Sequence, residues 1–142
     1  MYKRILIPID GSEPSEKAAE HGVKLATAVG AEIVCLYVID ISAFTGIPTE
    51  AIWENMRGLL EEEGKGALSG VEEMAEKNNV KFESIVKDGI PSEDIARTAG
   101  EKDIDVIVMG TAGRSGLDKF LLGSVTEKVM RTAPCPVLVI RK

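Results

Sequence analysis

The chain has 142 residues, a length typical of one domain that buries its own core. Hydrophobic residues make up 44% of the sequence and charged residues 28%, which is the balance of a globular protein and not of a disordered one. The formal net charge of −6 argues against an electrostatic grip on nucleic acid or on an anionic membrane. No apolar run approaches the roughly 18 residues of a membrane span, and the apolar run at the N-terminus is too short for a signal peptide. We therefore expect a single domain over residues 1–142, located in the cytoplasm.

Five runs rich in Ile and Val are predicted to be buried strands. Their apolar residues are nearly continuous and not strictly alternating, which is typical of a parallel sheet covered on both faces. The strands are predicted over Arg4–Ile9, Glu32–Val38, Lys81–Val86, Asp105–Met109 and Pro136–Ile140.

Helices are predicted in the gaps between these strands. The first runs from Glu13 to Val29, with Ser12 as its N-cap and Pro14 in its first turn. The second covers about Glu50 to Asn78, and its several glycines predict a bend or break near Gly64–Gly66. Its apolar stripe is predicted to contain Ile52, Met56, Leu59, Leu60, Ala67, Val71 and Met74.

The third helix is predicted to begin near Pro91, and the fourth at Gly123 or Ser124, ending about Thr132. The alternation of strand and helix indicates the α/β class: an open parallel sheet of five strands with helices on both faces and right-handed crossovers. Such a sheet binds ligands outside the carboxyl ends of its strands, at the point where the strand order reverses.

The stretch from Gly110 to Val129 follows the fourth strand and is rich in glycine. Glycines at Gly110 and Gly113 allow the backbone to turn with positive φ and to approach a ligand closely. Gly123 opens the approach to a helix N-terminus, whose free N–H groups favour a phosphate. The hydroxyls of Ser124 and Thr126 and the charge of Arg114 add further donors, so the stretch is a candidate phosphate site.

A purely structural interpretation of the same residues stays open. Ser124-Val125-Thr126-Glu127 matches a capping box, in which Ser124 and Glu127 satisfy the free N–H groups of the helix. The stretch contains neither the Walker A pattern nor G-x-G-x-x-G, which excludes two familiar modes of nucleotide binding. Asp10, after the first strand, is predicted either to contact a ribose or Mg²⁺, or to serve as a turn residue in Asp-Gly-Ser.

The cysteines and the single histidine offer little chemistry. Cys35 and Cys135 lack metal-ligand spacing, and both are expected to be reduced thiols, with Cys35 buried. His21 is predicted to lie on the polar side of the first helix, without an evident catalytic partner.

The spacing Gly110-x₂-Gly113-x₉-Gly123-Ser124 matches the G-2x-G-9x-G-[ST] signature of the universal stress protein family. The opening I-L-I-P-I-D-G-S, the V-I-V-M-G before the first glycine and the closing A-P-C-P-V-L-V-I resemble the same family. The resemblance covers essentially the whole chain, and it is to the members that bind ATP.

The resemblance implies a Rossmann-like sheet of the adenine nucleotide alpha hydrolase type, with strand order 3-2-1-4-5. It implies ATP as the ligand, with ADP and AMP as alternatives, and Mg²⁺ arriving with the nucleotide near Asp10. The glycines and Ser124 would wrap the phosphates and ribose, and the backbone of Val38 would meet adenine. The residues implied to bind the nucleotide are Pro8, Asp10, Val38, Met109, Gly110, Gly113, Arg114, Gly123, Ser124, Val125 and Thr126.

A homodimer built through the last strand is also implied by the resemblance. The sequence supports it independently, because Pro136–Ile140 would be an edge strand with four consecutive apolar residues. An exposed edge of this kind invites pairing with another chain. Antiparallel pairing about a two-fold axis closes the edge without forming fibres.

The implied function is a nucleotide-dependent regulatory or stress-response dimer with little or no turnover and an unspecified protein partner. One alternative is an enzyme, either a slow ATP hydrolase or a relative of adenylate-forming synthetases. Another is a dimeric interaction module that needs no nucleotide. Glu13 argues against the synthetases, because it would repel pyrophosphate in the loop after the first strand. A phosphoacceptor receiver domain would use Asp10, Asp88, Thr111 and Lys142, but the second acidic residue expected after the first strand is missing.

Overall fold

The computed structural model describes residues 1–44, 46, 49–111 and 122–141, without the side chains of Ala43 and Phe44. Two of the predicted nucleotide-binding residues, Gly113 and Arg114, lie outside this part of the chain.

Five strands and four α-helices alternate along the described chain, joined by one short 3-10 helix. The strands are β1 (Arg4–Ile9), β2 (Glu32–Asp40), β3 (Phe82–Gly89), β4 (Val106–Gly110) and β5 (Val137–Ile140). The helices are α1 (Glu13–Val29), α2 (Glu50–Lys77), α3 (Pro91–Glu101) and α4 (Ser124–Thr132), and the 3-10 helix is Ile41–Phe44. The strands and helices predicted from the sequence are confirmed, with ends that differ by no more than three residues.

The strands form one parallel sheet in the order β3-β2-β1-β4-β5, which confirms the topology. The order reverses between β1 and β4. After β1 the chain adds β2 and β3 on one side of β1, and it then returns to add β4 and β5 on the other side. The carboxyl ends of β1 and β4 therefore flank a crevice, which is where sheets of this class bind ligands.

Alternate residues of the central strands enter two separate cores. Ile5 and Ile7 of β1 pack with α1 and α2, whereas Leu6 packs with α3 and α4 on the opposite face. Since both faces are covered, the inner strands read as unbroken apolar runs.

The edge strands differ from the prediction of five buried strands. β3 exposes Glu83, Ser84 and Asp88, and Leu138 of β5 is also exposed. Each of these strands has a neighbour on one side only, so part of its surface stays in contact with solvent.

Helix α2 is continuous, so the predicted break near Gly64–Gly66 is wrong. Gly64 is buried, and a Cβ atom there would lie 2.5 Å from the Tyr37 ring, so this glycine serves close packing of the helix on β2. The first half of the predicted apolar stripe is also wrong. Ile52, Met56 and Leu59 are exposed, and the buried residues of α2 are Gly64, Leu68, Val71 and Ala75.

Cys35 is buried in the middle of β2, and Cys135 is half-buried before β5; both thiols are free. Burial raises the pKa of the Cys35 thiol far above its usual range, so the reactive thiolate is suppressed. His21 is exposed on α1, as predicted. Within the described residues no helix has both the length and the apolar character needed to cross a bilayer.

Candidate functional site

A cavity of about 400 Å³ opens at the carboxyl ends of β1, β2 and β4, where the strand order reverses. Its volume falls within the range of small-molecule sites, roughly 300–1,000 Å³. The described residues among those predicted to bind nucleotide all line it: Pro8, Asp10, Val38, Met109, Gly110, Gly123, Ser124, Val125 and Thr126.

The N-terminus of α4 forms one end of the cavity. Gly123 is the N-cap, in an extended conformation, and no side chain of the described residues makes a capping hydrogen bond there. The alternative of a capping box is therefore wrong: Ser124 is the first helical residue and not the cap. The N–H of Glu127 donates to the Gly123 carbonyl, so the free N–H groups of the first turn belong to Ser124, Val125 and Thr126.

Two hydrogen bonds to backbone carbonyls hold this helix terminus against the end of β4. The buried hydroxyl of Thr126 donates to the Gly110 carbonyl at 2.9 Å, and the Gly123 N–H donates to the Thr111 carbonyl at 2.7 Å. The Thr126 hydroxyl proton is thus already used within the protein, which leaves the backbone N–H of this residue to face a ligand.

Gly110 is required by close packing and not by its backbone angle. A Cβ atom at this position would lie 2.9 Å from the Pro14 carbonyl oxygen in the first turn of α1. The backbone of the first turn of α1 therefore lies directly against the backbone at the end of β4. This contact narrows the crevice between the two elements.

The loop after β1 is organised by short-range hydrogen bonds. Oδ1 of Asp10 accepts from the Ser12 N–H at 2.9 Å, and the Asp10 N–H donates to Ser15 Oγ at 3.3 Å. Gly11 has φ of 82°, in the left-handed region that favours glycine. Asp10 therefore has the predicted turn role and also lines the cavity, so its two interpretations are compatible.

The opposite end of the cavity contains residues that the sequence interpretation missed. Leu60 of α2, Pro91 and Ile95 of α3, and Asp40 of β2 line it. Asp40 was missed because β2 was predicted to end at Val38, whereas the strand continues for two more residues. Pro91 was predicted as the first residue of α3, and its place after the carboxyl end of β3 was a usable signal that it borders the site.

Asp40 has an asymmetric environment. Its Oδ1 accepts hydrogen bonds from the backbone N–H of Ser42 at 2.9 Å and from the Ser42 hydroxyl at 2.6 Å. Across residues 1–44, 46, 49–111 and 122–141, no group donates to its Oδ2. One carboxylate oxygen thus fixes the start of the 3-10 helix, and the other has no donor within the described part of the chain.

The described residues contain no group of three or more His, Cys, Asp or Glu side chains that could hold a metal ion by themselves. Asp10 and Asp40 are the carboxylates among the described residues of the cavity wall. A cation at this site would need further oxygen ligands, such as phosphate oxygens or water.

The model of the universal stress protein family matches residues 1–141, and the chain belongs to that family. Universal stress protein MJ0531 of Methanocaldococcus jannaschii is 46% identical over 142 residues, which span 100% of this chain and 84% of that one. The solved structure of MJ0577 from the same organism superposes with a TM-score of 0.88 at 35% identity, covering 100% of this chain and 97% of that one.

More distant solved structures of the same fold contain adenine nucleotides. They are universal stress proteins from Archaeoglobus fulgidus with dAMP, from Arabidopsis thaliana with AMP, and a further one with cAMP. Their TM-scores are 0.71, 0.72 and 0.76 at 22%, 18% and 22% identity; each alignment covers 99% of this chain and at least 92% of the other. At these identities the likeness shows the fold alone.

Proposed function

We propose that this protein is an ATP-binding universal stress protein of the cytoplasm. In this proposal it acts as a regulatory or stress-response homodimer whose state depends on bound nucleotide, with little or no turnover. ADP and AMP are alternative ligands for the same site.

The observation that carries the proposal is the N-terminus of α4, which opens without a side-chain cap into a cavity of nucleotide size. Free N–H groups and the helix dipole together favour phosphate at such a position. Gly110 and Gly123 keep side chains away from the approach. The signature residues Gly113 and Arg114 belong to the same proposed site by resemblance, although they lie outside the described residues.

The nucleotides in the distant family structures give the proposal its ligand class. The cavity of this chain has an apolar end, lined by Val38, Leu60, Pro91 and Ile95, and an end rich in backbone donors. A purine suits the first end and phosphates suit the second. Mg²⁺ would be held by the phosphates, with Asp10 as the nearest proposed protein ligand.

The dimer is proposed to form through the free edge of β5. The Ile107 N–H donates to the Pro136 carbonyl, so the backbone of alternate residues, Val137 and Val139, points away from β4. These groups have no partner strand in the sheet. Pairing with a second copy would satisfy them and cover the exposed side chain of Leu138.

The first experiment is thermal unfolding of nucleotide-free protein with and without Mg-ATP. Ligand at about 100 times its dissociation constant should stabilise the native state by roughly 2.7 kcal/mol. For a domain of this size we expect the melting temperature to rise by about 5–10 °C.

Gly123→Val is the matched variant. Gly123 is buried and has φ of −66°, which valine also adopts, so the added side chain should fill the approach to α4 without straining the backbone. We expect the variant to remain folded by circular dichroism and to lose the shift. Gly123→Ala should give an intermediate shift. No shift in the unmodified protein would overturn the proposal and leave a nucleotide-independent dimer as the better account.

Turnover is tested separately by measuring phosphate release from ATP at saturating nucleotide. We expect less than one equivalent per protein over the time of a binding measurement. Steady release of many equivalents, lost in Gly123→Val, would instead make the protein an ATP hydrolase.

A further inference from the structure

We propose that Asp40 selects the purine of the bound nucleotide, favouring a base with an amino group at position 6 over one with an oxo group there. The inference rests on the proposed nucleotide site and adds to it a residue that determines the base. Asp40 lines the cavity, and its Oδ2 accepts no hydrogen bond from the described residues.

The position of Asp40 relative to α4 assigns it to the base end of the site. β2 is separated from β4 by one strand, so their carboxyl ends are roughly 10 Å apart. Phosphates are drawn to the free N–H groups at the β4 end and repelled by a carboxylate at the β2 end. A nucleotide that places its phosphates at α4 therefore extends its base toward Val38 and Asp40.

The walls at this end offer few polar side chains to recognise the base, beside the backbone of Val38. Val38 lies two residues before Asp40, so their side chains point to the same face of β2, toward α3. Pro91 and Ile95 line the cavity from α3 and offer only apolar surface. Asp40 is the charged side chain among these residues.

The chemistry of a carboxylate distinguishes the two kinds of purine. Adenine carries an amino group at position 6, which can donate to the open Oδ2 of Asp40. Hypoxanthine and guanine carry an oxygen there, which repels the carboxylate and leaves both groups without a hydrogen bond. Sites built to accept a hydrogen bond reject analogues that lack the donor, and we expect a preference of roughly tenfold to a hundredfold.

Ser42 makes the proposed orientation rigid. Its backbone N–H and hydroxyl both donate to Oδ1, which restrains the carboxylate and leaves Oδ2 outside these two hydrogen bonds. A side chain already held in place loses little conformational entropy on binding, which favours a role in recognition. Capping the 3-10 helix uses only one of the two oxygens.

The test compares the dissociation constants of ATP and ITP by isothermal titration calorimetry, in the unmodified protein and in Asp40→Asn. Asparagine can keep the Ser42 hydrogen bonds through its Oδ1 and places an amide donor where Oδ2 was. We expect the unmodified protein to prefer ATP, and the variant to lose or reverse that preference as ATP weakens and ITP tightens.

Asp10→Asn is the matched control. It removes the same unit of negative charge from the same cavity and can keep the Ser12 hydrogen bond through its Oδ1. An effect that comes only from reduced repulsion of phosphate should change the dissociation constants of ATP and ITP by the same factor. The ratio of these two constants in Asp10→Asn should therefore stay near that of the unmodified protein.

The possible outcomes separate the two proposals. If the unmodified protein binds neither nucleotide, the proposed function fails and the role of Asp40 fails with it. If it binds both equally, or if Asp40→Asn leaves the ratio within about twofold, nucleotide binding stands and Asp40 serves only to cap the 3-10 helix. A ratio that changes in Asp40→Asn but not in Asp10→Asn supports the inference.

Discussion

The two sides of the sheet are stabilised by different kinds of contact. Around β2, β3 and α2 the contacts are made by side chains: Tyr37 packs on Gly64, and Arg57 pairs with Asp88 and Glu61. Around β4, β5 and α4, side chains such as Val129 also pack, but backbone groups are left at the N-terminus of α4 and along the edge of β5. No side chain of the described residues caps the N-terminus of α4, and the side chains of β5 are apolar and uncharged.

This difference shows where the molecule retains binding capacity. Side chains that satisfy one another leave little for a ligand, whereas unpaired backbone groups remain available to a phosphate or to another strand. The proposed dimer edge and the phosphate end of the proposed nucleotide site both lie in the part that presents backbone groups, whereas the base end of that site reaches β2 and α2. The four changes below test this comparison.

The largest effect is expected at the β5 edge. Val139→Pro removes an N–H that points away from β4 and leaves the ladder between β4 and β5 intact. In a symmetric dimer the loss occurs in both copies, about 2 kcal/mol in all, so the dimer dissociation constant should rise roughly 30-fold. Analytical ultracentrifugation over a concentration series measures this constant.

Val86→Pro is the control on the opposite edge. The Ile33 N–H donates to the Lys81 carbonyl, so the backbone of Val86 points away from β2 just as that of Val139 points away from β4. It should leave the dimer constant unchanged. Equal effects of the two prolines would mean that dimerisation does not depend on the β5 edge.

The next effect is expected at the contact between α4 and β4. Thr126→Val keeps the shape of the side chain but removes the buried hydrogen bond to the Gly110 carbonyl. We expect the free energy of unfolding to fall by about 1–3 kcal/mol, measured by urea denaturation. Thr132→Val removes a similar but exposed bond to the Lys128 carbonyl and should change stability much less.

A smaller net effect is expected where α2 packs on β2. Gly64→Ala places a Cβ atom against the Tyr37 ring, and overpacking costs about 1–3 kcal/mol, offset by roughly 1 kcal/mol of helix propensity. Gly66→Ala meets no atom within 4 Å and should stabilise the protein by up to about 1 kcal/mol. If both variants stabilise the protein equally, the close contact with Tyr37 is unimportant.

The smallest effect is expected from the ion pairs of Arg57, which lie half-buried at the surface of the molecule. Arg57→Gln removes the guanidinium that contacts Asp88 at 2.6 Å and Glu61 at 2.6 Å. Ion pairs at the surface contribute little and are screened by salt, so a slight fall in melting temperature should vanish in 1 M NaCl. A large fall that persists in salt would contradict this assignment.

The same pair gives a pH dependence with a defined sign. Arg57, followed by Lys65, holds the pKa of Glu61 below its ordinary value. The stabilisation is therefore present above the ordinary glutamate pKa of about 4.3 and is lost as the pH falls through the lower folded value. In Arg57→Gln the melting temperature should depend less on pH in that acid range. Near neutrality it should differ little from that of the unmodified protein.

Most of the fold could be predicted from local patterns. The buried runs in β1, β2 and β4 and the capping signals at Ser12 and Pro14 gave element positions to within a few residues. The role of Gly64 could not be predicted, because a glycine that weakens an isolated helix cannot be told from one that packs under a ring without knowing that Tyr37 faces it. The exposure of the first half of α2 was missed for a related reason. Helical spacing shows which residues share a face of the helix, but it does not show where the helix extends beyond the sheet on which that face packs.

The candidate site was predicted unevenly. Residues near the glycine signature could be named from the sequence because their spacing is specific. Leu60 and Ile95 could not, because ordinary apolar residues on α2 and α3 reach the cavity only through the packing of those helices. The capping box was predicted with Ser124 as the N-cap, but the N-cap is Gly123, one residue earlier. Sequence patterns do not resolve a difference of one residue at a helix end.

The buried thiol in β2 gives this protein a built-in reporter of its own opening. Cys35 lies in a strand paired on both sides, and both access to reagent and ionisation are suppressed there. Its labelling by a thiol reagent should therefore wait for opening of the sheet centre, whereas the half-buried Cys135 should react earlier. The delay between the two reactions, followed by mass spectrometry, would measure how firmly the centre of the sheet stays closed, and repeating it with added Mg-ATP would test whether the proposed ligand lengthens the delay.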